Sequence, residues 1–349
     1  MLHLKLSPSI FCLGICFLGI TILEKVSLMK KNIIPAVKSL QQLLKYKVLG
    51  KKIPLVLSIL VTNRCNFDCA FCWADPASKA MKDMPYEEIE RIIDDFYNIG
   101  TRVVWIQGGE PLLRRDIGKI VDHIKSKGVF CEIVTNGWFA EEKMDVLLKT
   151  DKVCFSIEGD RETHDKMRHK GSHEKIISAL KKGKDLGMNF RLHTVLNKHN
   201  MNNRNIDYLC DLAKEMQTGV SFTYALLPVQ KLKAGRDNTE HYFERKSLQD
   251  TLKYILKCKK EGRPIEHTNG VLERVINWNL PFQEIMYRHN APKGYPQCLY
   301  GRLVAYLDAD GTLYPCTKYF RYADKGASVG EKGAEGAWKY VSDLDCVEC

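Results

Sequence analysis

The chain has 349 residues, of which 45% are hydrophobic and 27% are charged, as is ordinary for a soluble globular protein. Its formal net charge is +11, but residues 1–55 hold nine lysines against one acidic residue and so carry +8 of that charge. The rest of the chain is close to neutral, which argues against a broad nucleic-acid-binding face.

The N-terminal arm is apolar first and basic afterwards. Residues 1–28 contain an uncharged run of 18 residues, 6–23, which is the short limit for a bilayer-spanning helix, and Met29 is an alternative start. No small-x-small cleavage site follows the run, so export is not expected. We expect a cytoplasmic protein that the arm can hold at the inner face of a membrane.

Residues 29–54 predict a basic amphipathic helix. One face of this helix carries Ile33, Val37, Leu40, Leu44 and Val48. Two interpretations stay open. The stripe lies in a membrane interface, where lysines are attracted to an anionic surface, or it packs against the body of the protein.

Residues 55–235 alternate short strand-like runs with helical patterns. The predicted strands are 55–62, 103–107, 129–134, 152–157, 189–195 and 219–224. Six such repeats with short connections predict an α/β fold, a partial (β/α)6 TIM-like barrel. In this architecture sites form at the carboxyl ends of the strands. A helical linker, 236–290, and a small C-terminal domain with a β-hairpin and several cysteines, 291–349, are expected to follow.

Cys65, Cys69 and Cys72 follow the first predicted strand with the spacing C-x3-C-x2-C. Three thiolates within eight residues can surround one metal centre, but a structural zinc site normally has four protein ligands. A [4Fe-4S] cluster held by three thiolates keeps one iron free for a substrate or cofactor. The triplet therefore predicts a reactive centre rather than a structural metal site.

Further motifs come after the next three predicted strands. Each has an ordinary structural explanation as a turn, a helix cap or a surface cation, but four of them at successive strand ends are improbable as coincidence. The motifs are Gln107-Gly108-Gly109-Glu110-Pro111-Leu112, Thr135-Asn136-Gly137, Ser156-Ile157-Glu158-Gly159 and the segment from His164 to Arg168.

This set of motifs resembles the radical S-adenosylmethionine (radical SAM) superfamily. The resemblance implies that the three cysteines hold a [4Fe-4S] cluster whose free iron chelates the amine and carboxylate of S-adenosylmethionine. The family usually has aspartate where this chain has Glu158, which leaves any contact of that carboxylate open. By the same resemblance, the residues that contact S-adenosylmethionine are Phe71, Gly108, Gly109, Glu110, Asn136, Ser156 and Arg168.

A second group of cysteines lies near the C-terminus. Cys298 and Cys316 flank a predicted hairpin, whose ends must come together, and Cys346 and Cys349 add a C-x2-C pair. Four thiolates at this spacing also suit a structural zinc site. The Gly311-x4-Cys316 spacing is similar to the SPASM/twitch extension of the superfamily, which implies an auxiliary [4Fe-4S] cluster and so two clusters per chain.

The resemblance implies reductive cleavage of S-adenosylmethionine to a 5′-deoxyadenosyl radical, which abstracts hydrogen from a substrate. A flavodoxin, ferredoxin or similar reductase is the expected electron donor. The basic arm favours a small-molecule or lipid-linked substrate that undergoes oxidation or bond formation, and the near-neutral body argues against a nucleic-acid partner. The alternatives are a peptide- or protein-modifying maturase and a non-catalytic iron–sulfur or zinc module.

Overall fold

The structure is a computed structural model that describes residues 33–74, 82–225, 243–278, 286–287, 298–322, 324–344 and 346–348. The predicted apolar segment 1–28, residues 236–242, 279–285 and 288–290 of the predicted linker, and Cys349 lie outside the described residues. Within the described ranges, no helix has the length and apolarity that crossing a membrane requires.

The helices and strands alternate as the sequence predicts. The helices are α1 (Ile33–Leu49), α2 (Tyr86–Ile99), α3 (Ile117–Ser126), α4 (Met144–Leu147), α5 (Arg161–Met167), α6 (Ser172–Asp185), α7 (Asn203–Glu215), α8 (Arg245–Lys260), α9 (Asn269–Ile276) and α10 (Val329–Ser342). The strands are β1 (Val56–Leu60), β2 (Val103–Gln107), β3 (Phe130–Thr135), β4 (Lys152–Ser156), β5 (Phe190–Leu196), β6 (Val220–Tyr224), β7 (Met286–Tyr287), β8 (Val304–Leu307), β9 (Thr312–Tyr314), β10 (Ala327–Ser328) and β11 (Cys346–Glu348).

Nine strands form one open sheet in the order β10-β9-β8-β1-β2-β3-β4-β5-β6. The strands from β8 to β6 in this order run parallel, while β9 and β10 are antiparallel. Strand β1, with the sequence VLSIL, is buried along its whole length, as a central parallel strand between two packed faces should be. The predicted partial TIM-like barrel is confirmed, and its sheet is not closed.

The helices cover the outside of the sheet with one apolar face each. Helix α2 shows the pattern: Ile89, Ile92, Ile93 and Phe96 are buried at helical spacing, and the acidic residues between them face solvent. These side chains join a continuous core that includes the outward-facing residues of the parallel strands. The inward-facing residues are left to line the barrel interior.

The C-terminal hairpin forms where the sequence predicts it and continues the barrel sheet. Strand β8 pairs in parallel with β1, with Val304 opposite Val56, and β9 then pairs antiparallel with β8. Gly311 has φ +84° at the tight turn between them, a conformation that favours glycine. The hairpin therefore occupies the edge that β1 would otherwise expose.

Helix α1 packs against the barrel through a face that the sequence pattern did not indicate. Ser39 and Gln42 are buried on this face, and Gln42 approaches Gly100 beyond the end of α2. The predicted stripe, described from Val37 to Val48, is exposed instead. The interpretation that this stripe packs against the body of the protein is therefore wrong, because the opposite side of the helix makes that contact.

Candidate active site

A cavity of 370 Å³ opens at the carboxyl ends of the parallel strands, a size typical of ligand sites. Its wall includes all three cysteines of the predicted cluster triplet together with Cys298 and Cys316. The two cysteine groups, far apart in sequence, thus face one space. The other residues that the resemblance assigns to S-adenosylmethionine, from Phe71 to Arg168, line the same cavity.

The cysteine loop, residues 61–74, is fastened to the glycine loop, residues 108–110, by backbone hydrogen bonds. The Gly109 amide donates to the Thr62 carbonyl at 2.7 Å, and the Glu110 amide donates to the Arg64 carbonyl at 2.8 Å. Neither Gly108 nor Gly109 has room for a side chain at this contact. The strand ends therefore place the first cysteine next to the glycine loop.

Aromatic rings hold the middle of the cysteine loop. The Phe67 ring stacks on the His169 ring at 5.3 Å between centroids and meets the edge of Trp138 at 5.7 Å. Asn136 donates from Nδ2 to Asn66 Oδ1 at 2.9 Å. Because Asn136, Trp138 and His169 follow neighbouring strands of the barrel, the loop is fixed by the body of the protein and not by its own turns alone.

The three cysteines are half-buried at the cavity wall. Burial raises the pKa of Cys65 to about 11 and the pKa of Cys72 to about 12, and it also raises the pKa of Cys69. Iron binds the thiolate, so cluster assembly in this loop must release protons. Within the described residues, no three His, Cys, Asp or Glu side chains converge as the ligands of a single ion do. A cubane does not need that convergence, since each thiolate binds a different iron.

Glu110 shapes the glycine loop from inside the protein. Its side chain is only 1% exposed and accepts from the Leu112 amide, the Thr135 hydroxyl and the Asn136 amide at 2.8–3.1 Å. Burial nevertheless raises the pKa of Glu110 to about 7. The carboxylate thus joins the loop after β2 to the turn after β3, and all three of these donors belong to the protein.

Glu158, which is fully buried, forms an ion pair with Arg168 beside the cysteines. Arg168 donates from Nε and Nη2 to Glu158 Oε1 at 2.9 and 2.5 Å, and Glu158 Oε2 accepts from the Val195 amide at 2.9 Å. The guanidinium also lies over the Phe71 ring, 5.5 Å from its centroid. Arg168 is therefore positioned by Glu158, so the glutamate that departs from the family pattern has a defined partner here.

The region that carries these loops, residues 59–214, matches the family described as the Radical SAM superfamily. This region is a radical SAM domain. Membership implies a [4Fe-4S] cluster and S-adenosylmethionine as cofactors. The residues present fit both, because three thiols of one sheltered loop and a ligand-sized cavity lie together.

Curated relatives match this chain over part of their length. Fe-coproporphyrin III synthase of Methanosarcina barkeri is 31% identical over 160 residues, 44% of this chain and 40% of that protein. GTP 3′,8-cyclase of Marinobacter nauticus is 30% identical over 169 residues, 46% of this chain and 51% of that protein. The matched region spans roughly half the length of these relatives.

The fold also matches solved structures. Streptococcus suis SuiB bound to S-adenosylmethionine superposes with a TM-score of 0.63 and covers 94% of this chain and 75% of its own, at 17% identity. SuiB bound to its precursor peptide SuiA gives a TM-score of 0.65 at 16% identity. At this identity the likeness shows the fold alone.

The remaining predicted contact residues of the radical SAM domain differ in what their side chains do. Asn136 is occupied within the protein, because its Oδ1 accepts from the Trp138 amide at 3.0 Å and its Nδ2 binds Asn66. Ser156 ends β4 at the cavity wall, and its hydroxyl has no hydrogen-bond partner among the described residues. Ser156 and Arg168 are thus the side chains best placed to meet a ligand.

A polar network at the base of the cavity was not predicted from the sequence. Arg191 donates to Glu132 Oε1 and to the Ser221 hydroxyl, each at 2.7 Å, and His193 lies between Ser221 and Thr223. Burial and nearby Arg191 hold the pKa of His193 well below its usual value, so the imidazole is neutral. A charged residue within each of the apolar strands β3 and β5 was the available signal.

The second cysteine group is partly described. Cys298 is buried, Cys316 is half-buried, and both face the cavity of the radical SAM domain. The backbone of Cys346 pairs with Tyr287 in the short β7–β11 sheet. The side chain of Cys346 and the whole of Cys349 lie outside the described residues, so the predicted four-thiolate site stays a prediction.

Arg321 connects the C-terminal hairpin to the cysteine loop. Its guanidinium donates to both oxygens of Asp308, which is fully buried, at 2.8 and 3.1 Å. It also donates to the Asn63 side chain at 2.6 Å and to the Ala74 carbonyl at 2.9 Å. Both ends of the cysteine loop are therefore tied to the segment that carries Cys316.

Proposed function

We propose that this chain is a radical SAM enzyme with two [4Fe-4S] clusters and a substrate site between them. Cys65, Cys69 and Cys72 would hold the first cluster, and the four C-terminal cysteines would hold an auxiliary cluster of the SPASM/twitch kind. The observation that carries the proposal is the single cavity faced by both the triplet and the described pair, Cys298 and Cys316. A structural zinc site has no need to face a catalytic cavity.

The chain's own residues would orient the cofactor and shelter the chemistry. When bound, the first cluster supplies the electron that cleaves S-adenosylmethionine to methionine and a 5′-deoxyadenosyl radical, which takes a hydrogen atom from the substrate. Arg168, fixed by Glu158, offers a cation for a carboxylate, and Ser156 offers a hydroxyl. The aromatic side chains at the cysteine loop exclude water. An external flavodoxin- or ferredoxin-type donor would deliver the electron.

The cavity wall supports a substrate with an apolar part and a small polar part. The wall includes Trp73, Trp105 and Tyr306 on the side of Cys298 and Cys316. Glu132 and Arg191 lie at the base of the cavity. Because these two charges already pair with each other, the base suits hydrogen bonding more than binding of a free charge. We propose a small-molecule or lipid-linked substrate that undergoes oxidation or carbon–carbon bond formation. A peptide substrate is the alternative outcome.

Iron content tests the two-cluster proposal. Anaerobically reconstituted protein should bind about eight irons per chain, four for each cluster. The Cys65→Ala/Cys69→Ala/Cys72→Ala variant and the Cys298→Ala/Cys316→Ala variant should each bind about four. Intact protein with about four irons, or with zinc at the C-terminal cysteines, would remove the auxiliary cluster from the proposal.

Cleavage of S-adenosylmethionine tests whether the chain is an enzyme. The reduced, two-cluster protein should produce 5′-deoxyadenosine and methionine, and the Cys298→Ala/Cys316→Ala variant should still do so. No product from fully loaded wild-type protein would favour a non-catalytic iron–sulfur module. Transfer of deuterium into 5′-deoxyadenosine from labelled lipid, small-molecule or peptide fractions would then identify the substrate class.

A further inference from the structure

Exposed apolar side chains are concentrated on α1. Of the eight large hydrophobic side chains that are exposed among the described residues, five belong to this one helix. Four of them form the exposed stripe, Val37, Leu40, Leu44 and Val48, which are 47–76% exposed. Contiguous apolar surface of this kind marks an interaction site, whereas single exposed apolar residues do not.

The helix is held in place from its other side. Ser39 and Gln42 are buried there, Tyr46 packs with the hydrophobic cluster around Tyr306, and the Lys38 ammonium lies 3.4 Å from the Tyr97 hydroxyl. The exposed stripe is therefore presented outwards by a helix that already has its contact with the barrel. A binding partner can therefore reach the exposed stripe without any rearrangement of the fold.

Lysines flank the exposed stripe on both sides. At 100° per residue, Lys45 and Lys47 lie about 80° to either side of Val37 on the helix circumference, and both are exposed. Lys51 follows at the end of the helix. No acidic residue occurs from Ile33 to Ile53, so this surface is apolar along its middle and cationic along its edges.

We infer that α1 is an interfacial helix that docks this protein on an anionic lipid bilayer. An apolar stripe with a lysine on either side matches the acyl–headgroup boundary, where apolar side chains can enter the apolar layer while lysines reach lipid phosphates. The inference goes beyond the proposed function, because neither the clusters nor the cavity takes part in it.

Two other occupants match this surface less well. A second copy of the chain would bring the flanking lysines of the two copies together with no acidic residue in the segment to neutralise them. The uncharged run 6–23 of the same chain would cover the stripe but would leave the flanking lysines without a counter-charge. An anionic bilayer complements both features.

Vesicle binding by the full-length chain tests the inference, with phosphatidylcholine vesicles and with phosphatidylcholine–phosphatidylglycerol vesicles. Wild-type protein should bind the anionic vesicles more tightly, and added salt should weaken this preference. The Leu40→Gln/Leu44→Gln/Val48→Gln variant and the Lys45→Gln/Lys47→Gln/Lys51→Gln variant should each bind the anionic vesicles at least about tenfold more weakly.

Matched controls use exposed residues elsewhere. The Leu148→Gln/Leu186→Gln and Lys246→Gln/Lys253→Gln variants should leave vesicle binding unchanged. Iron content should also be unchanged in every variant, which separates this test from that of the proposed function. Unchanged vesicle binding in both α1 variants would overturn the inference, and a change in oligomeric state alone would assign the stripe to a second copy.

Discussion

Gly109 is the residue at which the glycine loop touches the cysteine loop. A Cβ atom built on it would lie 2.1 Å from the Arg64 carbonyl oxygen and 3.0 Å from the Cβ of Cys65. Both neighbours belong to a backbone segment that hydrogen bonds already fix, so neither can move away cheaply. The position therefore needs glycine because of close approach.

We expect Gly109→Ala to lower the free energy of unfolding by at least about 2 kcal/mol and to reduce iron binding at the triplet. The cause is separation of the two loops, which displaces Cys65. Gly270→Ala is the matched control, because a Cβ there meets nothing within 4 Å and the residue lies in helix α9. That variant should be neutral or stabilising by up to about 1 kcal/mol. Anaerobic urea unfolding measures the stability of each variant, and iron analysis measures its cluster binding. Equal effects of Gly109→Ala and Gly270→Ala would contradict the role of close approach at Gly109.

At the scale of elements, the β8–β9 hairpin and the cysteine loop behave as one unit because Arg321 joins them. Asp308 is fully buried at the end of β8, and Arg321 is its charged partner. Arg321 itself has φ +62°, an uncommon conformation for a residue with a side chain. Its four hydrogen bonds to Asp308, Asn63 and Ala74 offset that conformational cost.

Arg321→Met should therefore destabilise the protein by about 3–5 kcal/mol, because it leaves a buried carboxylate without its counter-charge. Arg91→Met is the control, since its partner Asp95 is an exposed i,i+4 neighbour and such pairs contribute less than about 1 kcal/mol. Thermal unfolding compares the two. If adding Asp308→Asn to Arg321→Met did not recover part of the lost stability, the buried charge would not be the cause.

The sequence predicted local elements well and long-range contacts poorly. All six predicted barrel strands exist within about two residues of their expected ends, because apolar runs between helical patterns are local signals. The Glu132–Arg191 pair joins residues 59 positions apart, and the contact of Arg321 with Asn63 joins residues 258 apart. Pairings at such separations depend on strand register, which hydrophobic periodicity does not specify.

The same limit explains the outcome for α1. Its helical period and its apolar stripe were both evident from the sequence. The face of α1 that packs against the barrel, however, depends on the shape of the barrel surface, which the sequence of the helix does not contain. The lack of a side chain at Gly100 leaves room for the Ile53 side chain, just beyond α1, because a Cβ at Gly100 would overlap it. The cysteine triplet could be recognised from the sequence because its three members lie within eight residues of one loop.

At the scale of the whole molecule, three histidines are held in neutral form: His164 and His267 are buried, and His193 is half-buried at the cavity wall. Burial lowers the pKa of His164 and of His193, and it lowers the pKa of His267 to about 4. His267 Nε2 accepts from the Phe222 amide at 2.7 Å, which requires that nitrogen to be unprotonated. Protonation of these histidines at low pH must therefore destabilise the folded state.

We expect stability to fall as the pH drops from 6.5 towards 4. Between these values the unfolded state takes up a proton at His267 that the folded state excludes, so this contribution is complete above pH 6.5. His267 alone accounts for roughly 3 kcal/mol of the loss. His267→Gln, which keeps an acceptor for the Phe222 amide, should flatten the pH dependence of urea unfolding by about this amount. An unchanged slope would show that His267 is not excluded from protonation.

The pairing of β8 with β1 has a consequence for how the chain reaches its fold. The two strands are 248 positions apart, and Val304 must be synthesised before Val56 acquires its second neighbour. Until then, β1 presents an apolar, unpaired strand edge, which is a site for aggregation. Emergence of the hairpin from the ribosome is thus the event that covers the exposed edge of the first strand.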